Sequence, residues 1–288
     1  MYDKYTFSGH ESFPCKTLWL TKGYDFACKD TNNFNDPSAV IKLGVGKNMV
    51  SSIRYWLKVF GLTRQDGLTE IAHYLFDEQN GADRYIESLG TLWLLHFLLV
   101  SKKEAALYNI TFVRLQRERK SFSREQLVNF VKRTMYEDDA AKQYNANTVK
   151  KDVGVLLQNY VQPINAKSFE DYSSLLIDLD LIRSEDKGKS FAFNIEGKKT
   201  VPLEIFLYAV LCERKEDKSV SYDTLQDIGL MFCMTDAEVI NMAQSIGKNY
   251  PTYVQYSDNA GIRQLLFKEG VFLNKKDVLD KYYKDATV

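Results

Sequence analysis

Pro37-Ser-Ala-Val-Ile-Lys-Leu-Gly44-Val-Gly46-Lys47-Asn48-Met-Val-Ser51-Ser-Ile-Arg54-Tyr-Trp-Leu-Lys58-Val-Phe60-Gly61 is the stretch on which the fold reading turns. Proline has a fixed φ and no amide hydrogen to lose, so Pro37 suits the first turn of a helix. Ser38–Leu43 reads as a short apolar helix, and Gly44-Val-Gly46 as the flexible turn that ends it. Lys47–Phe60 then carries Val50, Ile53, Leu57 and Phe60 at i, i+3, i+7 and i+10, which sets them on one side of a helix. Met49 and Trp56 widen that apolar side. Lys47, Ser51, Arg54 and Lys58 recur at i, i+4, i+7 and i+11 on another side. Gly61, just past the end, is a C-terminal stop. Short helix, turn and long amphipathic helix follow one another as in a helix-turn-helix unit.

The surroundings extend this plan. Leu62–Leu68, with Asp66-Gly67 inside it, predicts a short turn or wing, and Thr69–Phe76 another helix. Asp83–Val100 reads as a largely apolar helix packed beneath the first module, with Trp93, His96, Phe97 and Val100 on one face. The order then repeats over 110–200. Ser123-Arg-Glu-Gln126 fits a capping box for a helix over Gln126–Tyr136. Asn147 is placed as the cap of Thr148–Tyr160, and Phe169–Leu181 as a further helix. Ile182–Arg183 and Phe191–Ile195 bracket Asp186-Lys-Gly-Lys189 as a wing with a basic tip. Over 201–288 come helices at Pro202–Cys212, Ser221–Ile228 and Asp236–Gly247, the last opened by Thr235-Asp-Ala-Glu238. A hairpin follows at Tyr253–Tyr256 and Ile262–Phe267, and then a helix at Asn274–Tyr283. The expected fold class is mainly α with small β-hairpins (α+β), as tandem winged-helix or helix-turn-helix modules. The expected domains are 1–109, 110–200 and 201–288.

Charge limits the function. Lys+Arg and Asp+Glu both number 38 in 288 residues, so the net charge is zero. A chain that coats nucleic acid indiscriminately is usually basic, so any DNA contact must come from a local patch. Residues 101–170 hold 13 Lys/Arg against 8 Asp/Glu, whereas 171–288 hold 15 against 19. The middle is therefore the basic part. Cys15, Cys28, Cys212 and Cys233 are scattered with no C-x-x-C pair, which fits reduced thiols in a cytoplasmic protein. The start, Met1-Tyr-Asp-Lys-Tyr-Thr-Phe7, has no secretory-signal pattern. Leu92–Val100, the most apolar run, is far shorter than the roughly 20 residues a membrane span needs.

Candidate chemistry concentrates in four places. Lys47, Asn48, Ser51, Arg54 and Lys58 supply the cationic and small polar groups that a recognition helix offers to phosphates and base edges. The same pattern also describes an ordinary solvated surface helix. Arg114, Arg117, Arg119, Lys120 and Arg124 form the densest basic cluster, able to grip phosphate but diluted by Glu118 and Glu125. Lys150 and Lys151 point away from the apolar face formed by Val149, Val153, Leu156 and Tyr160. Finally, Phe7-Ser8-Gly-His10-Glu11-Ser12-Phe-Pro14-Cys15 packs His, Glu, Ser and Cys into nine residues. A nucleophile with a base, a docking loop, and polar groups holding a buried turn are its three readings. A zinc site from His10 and Cys15 lacks a second ligand pair. His73 and His96 read as satisfied core or boundary histidines. Glu137-Asp138-Asp139 reads as a solvated linker. Gly44-Val-Gly46-Lys47 resembles a phosphate loop but lacks its glycine spacing and preceding strand. No catalytic residues, metal or cofactor are expected.

Phe7-Ser-Gly-His-Glu-Ser-Phe13, Trp19-Leu20, Lys22-Gly23, Leu43-Gly-Val-Gly-Lys-Asn-Met49, Ile53-Arg-Tyr-Trp56 and Thr91-Leu-Trp-Leu-Leu-His96 together resemble the bacterial family called domain of unknown function 4007. The resemblance is dense over 7–100 and continues toward the C-terminus. It offers no established catalytic residues to carry over. It implies company with DNA phosphorothioation genes in anti-phage islands, hence an accessory role in DNA modification or defence. Its motif residues Gly44, Gly46, Lys47, Asn48, Met49 and Arg54 coincide with the turn and helix singled out above. The expected partners are duplex DNA and other proteins of such a system. The alternatives are a protein–protein adaptor that uses the same modules as scaffold, and a hydrolase or nuclease built on the His10 loop.

Overall fold

The computed structural model describes residues 5–29, 31–65, 67–164 and 173–285, with backbone alone at 31, 32 and 103. The chain is mixed α+β and mainly helical, and it divides into two compact units, Met1–Asn194 and Ile195–Val288. The expected modules 1–109 and 110–200 thus fall almost wholly within one unit.

The first unit opens with α1 (Trp19–Ala27), α2 (Ala39–Leu43) and α3 (Lys47–Val59), then the hairpin of β1 (Thr63–Arg64) and β2 (Gly67–Leu68), then α4 (Glu70–Phe76). Gly44 ends α2 in the left-handed region at φ 63°, a conformation glycine adopts without a Cβ clash. α3 buries Val50, Ile53, Trp56 and Leu57, the apolar face its spacing predicts. Asp66 lies outside the described residues, so of the expected Asp66-Gly67 turn only Gly67 is seen.

α5 (Leu89–Val100) is buried at every residue from Gly90 onward. Its start corrects the expected helix over Asp83–Val100. The Asp83 carboxylate accepts the N–H groups of Glu87 and Ser88, each at 2.9 Å, and the Thr91 hydroxyl at 2.5 Å. It thereby folds 83–88 into a turn, and Ser88 caps the helix instead. α6 (Ala106–Asn109), a π-helical segment over Ile110–Leu115 and α7 (Gln116–Glu118) follow.

Next come β3 (Ser121–Ser123), α8 (Arg124–Glu137), α9 (Ala146–Tyr160), β4 (Ile182–Glu185) and β5 (Ser190–Phe193). The sheet order is β3-β5-β4, all antiparallel. Ser123 and Gln126 make the predicted capping box of α8. The cap of α9 is Asn145, not Asn147. The Asn145 side chain accepts from Thr148 N–H at 3.0 Å, which starts the helix two residues early. The helix expected over Phe169–Leu181 falls partly on 165–172, outside the described residues. Its described remainder is not an α-helix. Ser174 bridges Lys16, Leu175 N–H donates to Cys15 O at 2.8 Å, and a 3-10 turn covers Ile177–Leu179.

The second unit repeats that order with α10 (Leu203–Arg214), β6 (Ser219–Ser221), α11 (Tyr222–Met231), α12 (Asp236–Asn249), β7 (Val254–Asn259) and β8 (Ile262–Phe267), then adds α13 (Lys275–Asp285). Its sheet order is β6-β8-β7. Thr235 and Glu238 form the capping box read from sequence. In both sheets the first strand was not anticipated. It is three residues long, and its last residue, Ser123 or Ser221, doubles as a helix cap.

No helix among the described residues is long and apolar enough to cross a membrane.

Candidate nucleic-acid interface

Burial splits α3 as a two-sided helix requires. Ile53, Trp56 and Leu57 are fully buried. Lys47, Asn48, Ser51, Arg54 and Lys58 are all exposed. Among the described residues no carboxylate lies within ion-pair distance of Lys47, Arg54 or Lys58. Arg54 instead donates through Nη1 to the Asn35 side-chain oxygen at 2.7 Å. That neutral partner orients the guanidinium and leaves its charge uncancelled. The turn before α3 is held as well. Gly44 N–H reaches Ile41 O and Val45 N–H reaches Val40 O, each at 3.2 Å, while Lys22 Nζ donates to Leu43 O at 3.0 Å. These bonds satisfy carbonyls at the end of α2.

The second basic cluster is only partly available. Arg114 grips Asp138 at 2.6 Å and lies 3.7 Å from Glu137. Tyr5 donates its hydroxyl to the same Asp138, and burial followed by that carboxylate pushes the phenol up to about 12. Arg114 is thus a structural tie, and Asp138 is its partner, not the solvated linker residue expected. Glu118, expected to dilute the cluster, is occupied by Arg133 at 2.6 Å. Arg117, Arg119, Lys120 and Arg124 remain exposed, with Arg124 lying 5.6 Å over the Phe191 ring. Lys150 and Lys151 are exposed on α9, on the side opposite Val149, Val153 and Leu156.

Phe7–Pro14 is a tightly held loop. His10 is buried, and both ring nitrogens are engaged. Ser12 N–H donates to Nδ1 at 3.1 Å, which assigns the remaining proton to Nε2. That Nε2–H donates to Asp152 Oδ1 at 2.9 Å, and Ser8 N–H donates to Asp152 Oδ2 at 2.7 Å. Asp152 is itself buried on α9, where paired hydrogen bonds offset the desolvation of a carboxylate. Burial first, and then the Asp152 charge, raise the Tyr55 phenol nearby. Cys15 N–H donates to Asn159 Oδ1 at 3.0 Å, and burial pushes the Cys15 thiol well up. A buried, protonated thiol and a histidine with no free nitrogen do not make a nucleophile and base. Ser8, Glu11 and Ser12 stay exposed at the loop surface. Sequence spacing could not reveal the Asp152 partnership, because the two residues are 142 positions apart.

His73 and His96 are satisfied as expected, by Tyr24 at 2.9 Å and Tyr160 at 2.8 Å. No cluster of three or more metal-ligating side chains occurs among the described residues.

No curated protein matches this sequence. Two solved structures are similar over 97% of this chain and 88% of theirs. One is described as magnesium ion-bound SspB, with TM-score 0.87 and 28% identity; the other as SspB, with TM-score 0.84 and 27% identity. The family model described as "Protein of unknown function (DUF4007)" matches residues 7–283, and the chain belongs to that family.

Proposed function

We propose that this chain binds duplex DNA as a non-catalytic accessory of a bacterial DNA-modification system of the phosphorothioation type, or of an anti-phage defence system, in company with other proteins of that system. The observation that carries the reading is the exposed row Lys47, Asn48, Ser51, Arg54 and Lys58, opposite a fully buried face of the same helix and, among the described residues, unpaired with carboxylates. We read α2–α3 as helix-turn-helix. Strand, two helices and a strand pair, with the first strand beside the last, is the order of a winged helix, and both β3–β5 and β6–β8 follow it. The genomic association implied by the family resemblance supplies the system, and the likeness to SspB is compatible with it.

A salt titration of binding to a duplex tests the reading. Arg54→Glu is expected to weaken affinity about tenfold and to flatten the log–log salt slope by roughly one unit. Tight binding indifferent to this change would falsify the proposed surface.

A second reading, a divalent-metal nuclease, is favoured by the magnesium ion in the similar SspB structure. Magnesium needs only one or two protein carboxylates beside phosphate oxygens, and Glu11 is an exposed one in the motif loop. Incubating supercoiled plasmid with the protein and magnesium separates the two. Intact plasmid supports the accessory reading, whereas nicking that Glu11→Gln abolishes replaces it with the nuclease.

A further inference from the structure

The Phe7–Pro14 loop touches both cation-bearing helices at once. The His10 ring lies 5.7 Å edge-on from Tyr55 and 6.5 Å in a stacked arrangement from Trp56, both on α3. Its Nε2 binds Asp152 on α9 at 2.9 Å. Trp56 Nε1–H donates back to Phe13 O at 3.2 Å, and Cys15 N–H holds Asn159, about two turns further along α9. The residue before Tyr55 is the exposed Arg54, and the residue before Asp152 is the exposed Lys151. The exposed row of α3 and that of α9 therefore each include a cation one position from a group that contacts the same imidazole. Ser8, Glu11 and Ser12 hold left-handed backbone at φ 69°, 49° and 66°, and Gly9 at 107°. Side chains rarely adopt that region unless surrounding contacts enforce it, and such enforced segments gather at functional sites.

We infer that this loop is a spacer strut, with His10 as the positioning residue, which fixes the register of α3 and α9 so that both cationic rows engage one duplex together. The inference rests on the duplex-binding reading above. Rigid linkage matters because the second contact becomes intramolecular, so its ordering is completed before DNA arrives. A loop that only filled space would not couple the two rows.

The test measures salt slopes of the full chain on a long duplex, of more than two helical turns. On the long duplex, Lys150→Ala with Lys151→Ala should flatten the slope by roughly two units. His10→Phe keeps an aromatic ring against Tyr55 and Trp56 but loses both hydrogen bonds. It should match the double lysine variant on the long duplex, and combining all three changes should add nothing further. A His10→Phe protein with the unmodified slope, or losses that simply sum, overturns the strut. If the lysine changes have no effect while Arg54→Glu still weakens binding, the strut falls and the duplex reading stands. If no variant and no salt concentration alters binding, the duplex reading itself fails. Should His10→Phe not fold, hydroxyl-radical footprinting of the unmodified protein and the lysine variant decides. Protection at two sets of phosphates, one of which is lost with Lys150→Ala and Lys151→Ala, supports the strut, and protection that those changes leave unaltered overturns it.

Discussion

At Gly9 the backbone has φ +107°, and a Cβ there would stand 2.5 Å from Cδ2 of the Tyr55 ring. Gly44 is left-handed too, at +63°, but nothing lies within 4 Å of its would-be Cβ. The two glycines therefore separate backbone strain from collision. Gly44→Ala should cost about 1 kcal/mol, and Gly9→Ala about 2–3 kcal/mol, because it adds a clash to the strain. Urea unfolding of both variants checks this, and equal costs would mean that the Tyr55 ring yields freely. Single residues were unevenly legible. The row on α3 could be read because one helix carries all of it, so period alone sorts its sides. Arg114 was misplaced among free cations because Asp138, its partner, lies 24 residues away and looked like linker. Local charge counts cannot foresee which cations folding will neutralise.

Helix starts that carry a capping box were the most legible elements, since such a box is a chemical requirement written within four residues. Ser123/Gln126 and Thr235/Glu238 both close their boxes. The three-residue strands β3 and β6 were invisible because no alternation can be read over so short a span. The turn at 83–88 was missed because Asp83 diverts backbone donors that a helix would have used. Glu238 offers a test at this scale. It accepts Thr235 N–H at 2.8 Å and Lys198 N–H at 2.6 Å. Burial pushes its carboxyl up, but these bonds and the Thr235 hydroxyl outweigh it, so the net shift is below the ordinary value. A depressed carboxyl stabilises the fold above its ordinary value, and that stabilisation disappears as pH falls through the depressed one. Glu238→Gln should therefore lower the Tm at pH 7, and the gap to the unmodified protein should narrow below about pH 4. A gap constant across that range would show that ionisation is irrelevant to the cap.

Taken as a whole, neither unit is strongly charged. Residues 1–194 hold 26 Lys/Arg against 24 Asp/Glu, and 195–288 hold 12 against 14. Attraction to a polyanion must then be short-ranged and local, acting inside a Debye length of about 8 Å at physiological salt. Composition made this legible. It could not show that residues 1–109 and 110–194 fall within one unit, where ties run from the N-terminal loop to residues more than 140 positions away. Those ties also dictate when the N-terminal loop can settle during folding. A closure across so long a span gains nothing until α9 exists to receive it. We predict that pulse-labelled hydrogen exchange will find the Ser8 and Cys15 amides acquiring protection in the slowest refolding phase, after the interior of α9. Earlier protection of those amides would mean that the loop is held by something nearer in sequence. A segment synthesised long before α9 would then be among the last to find its place.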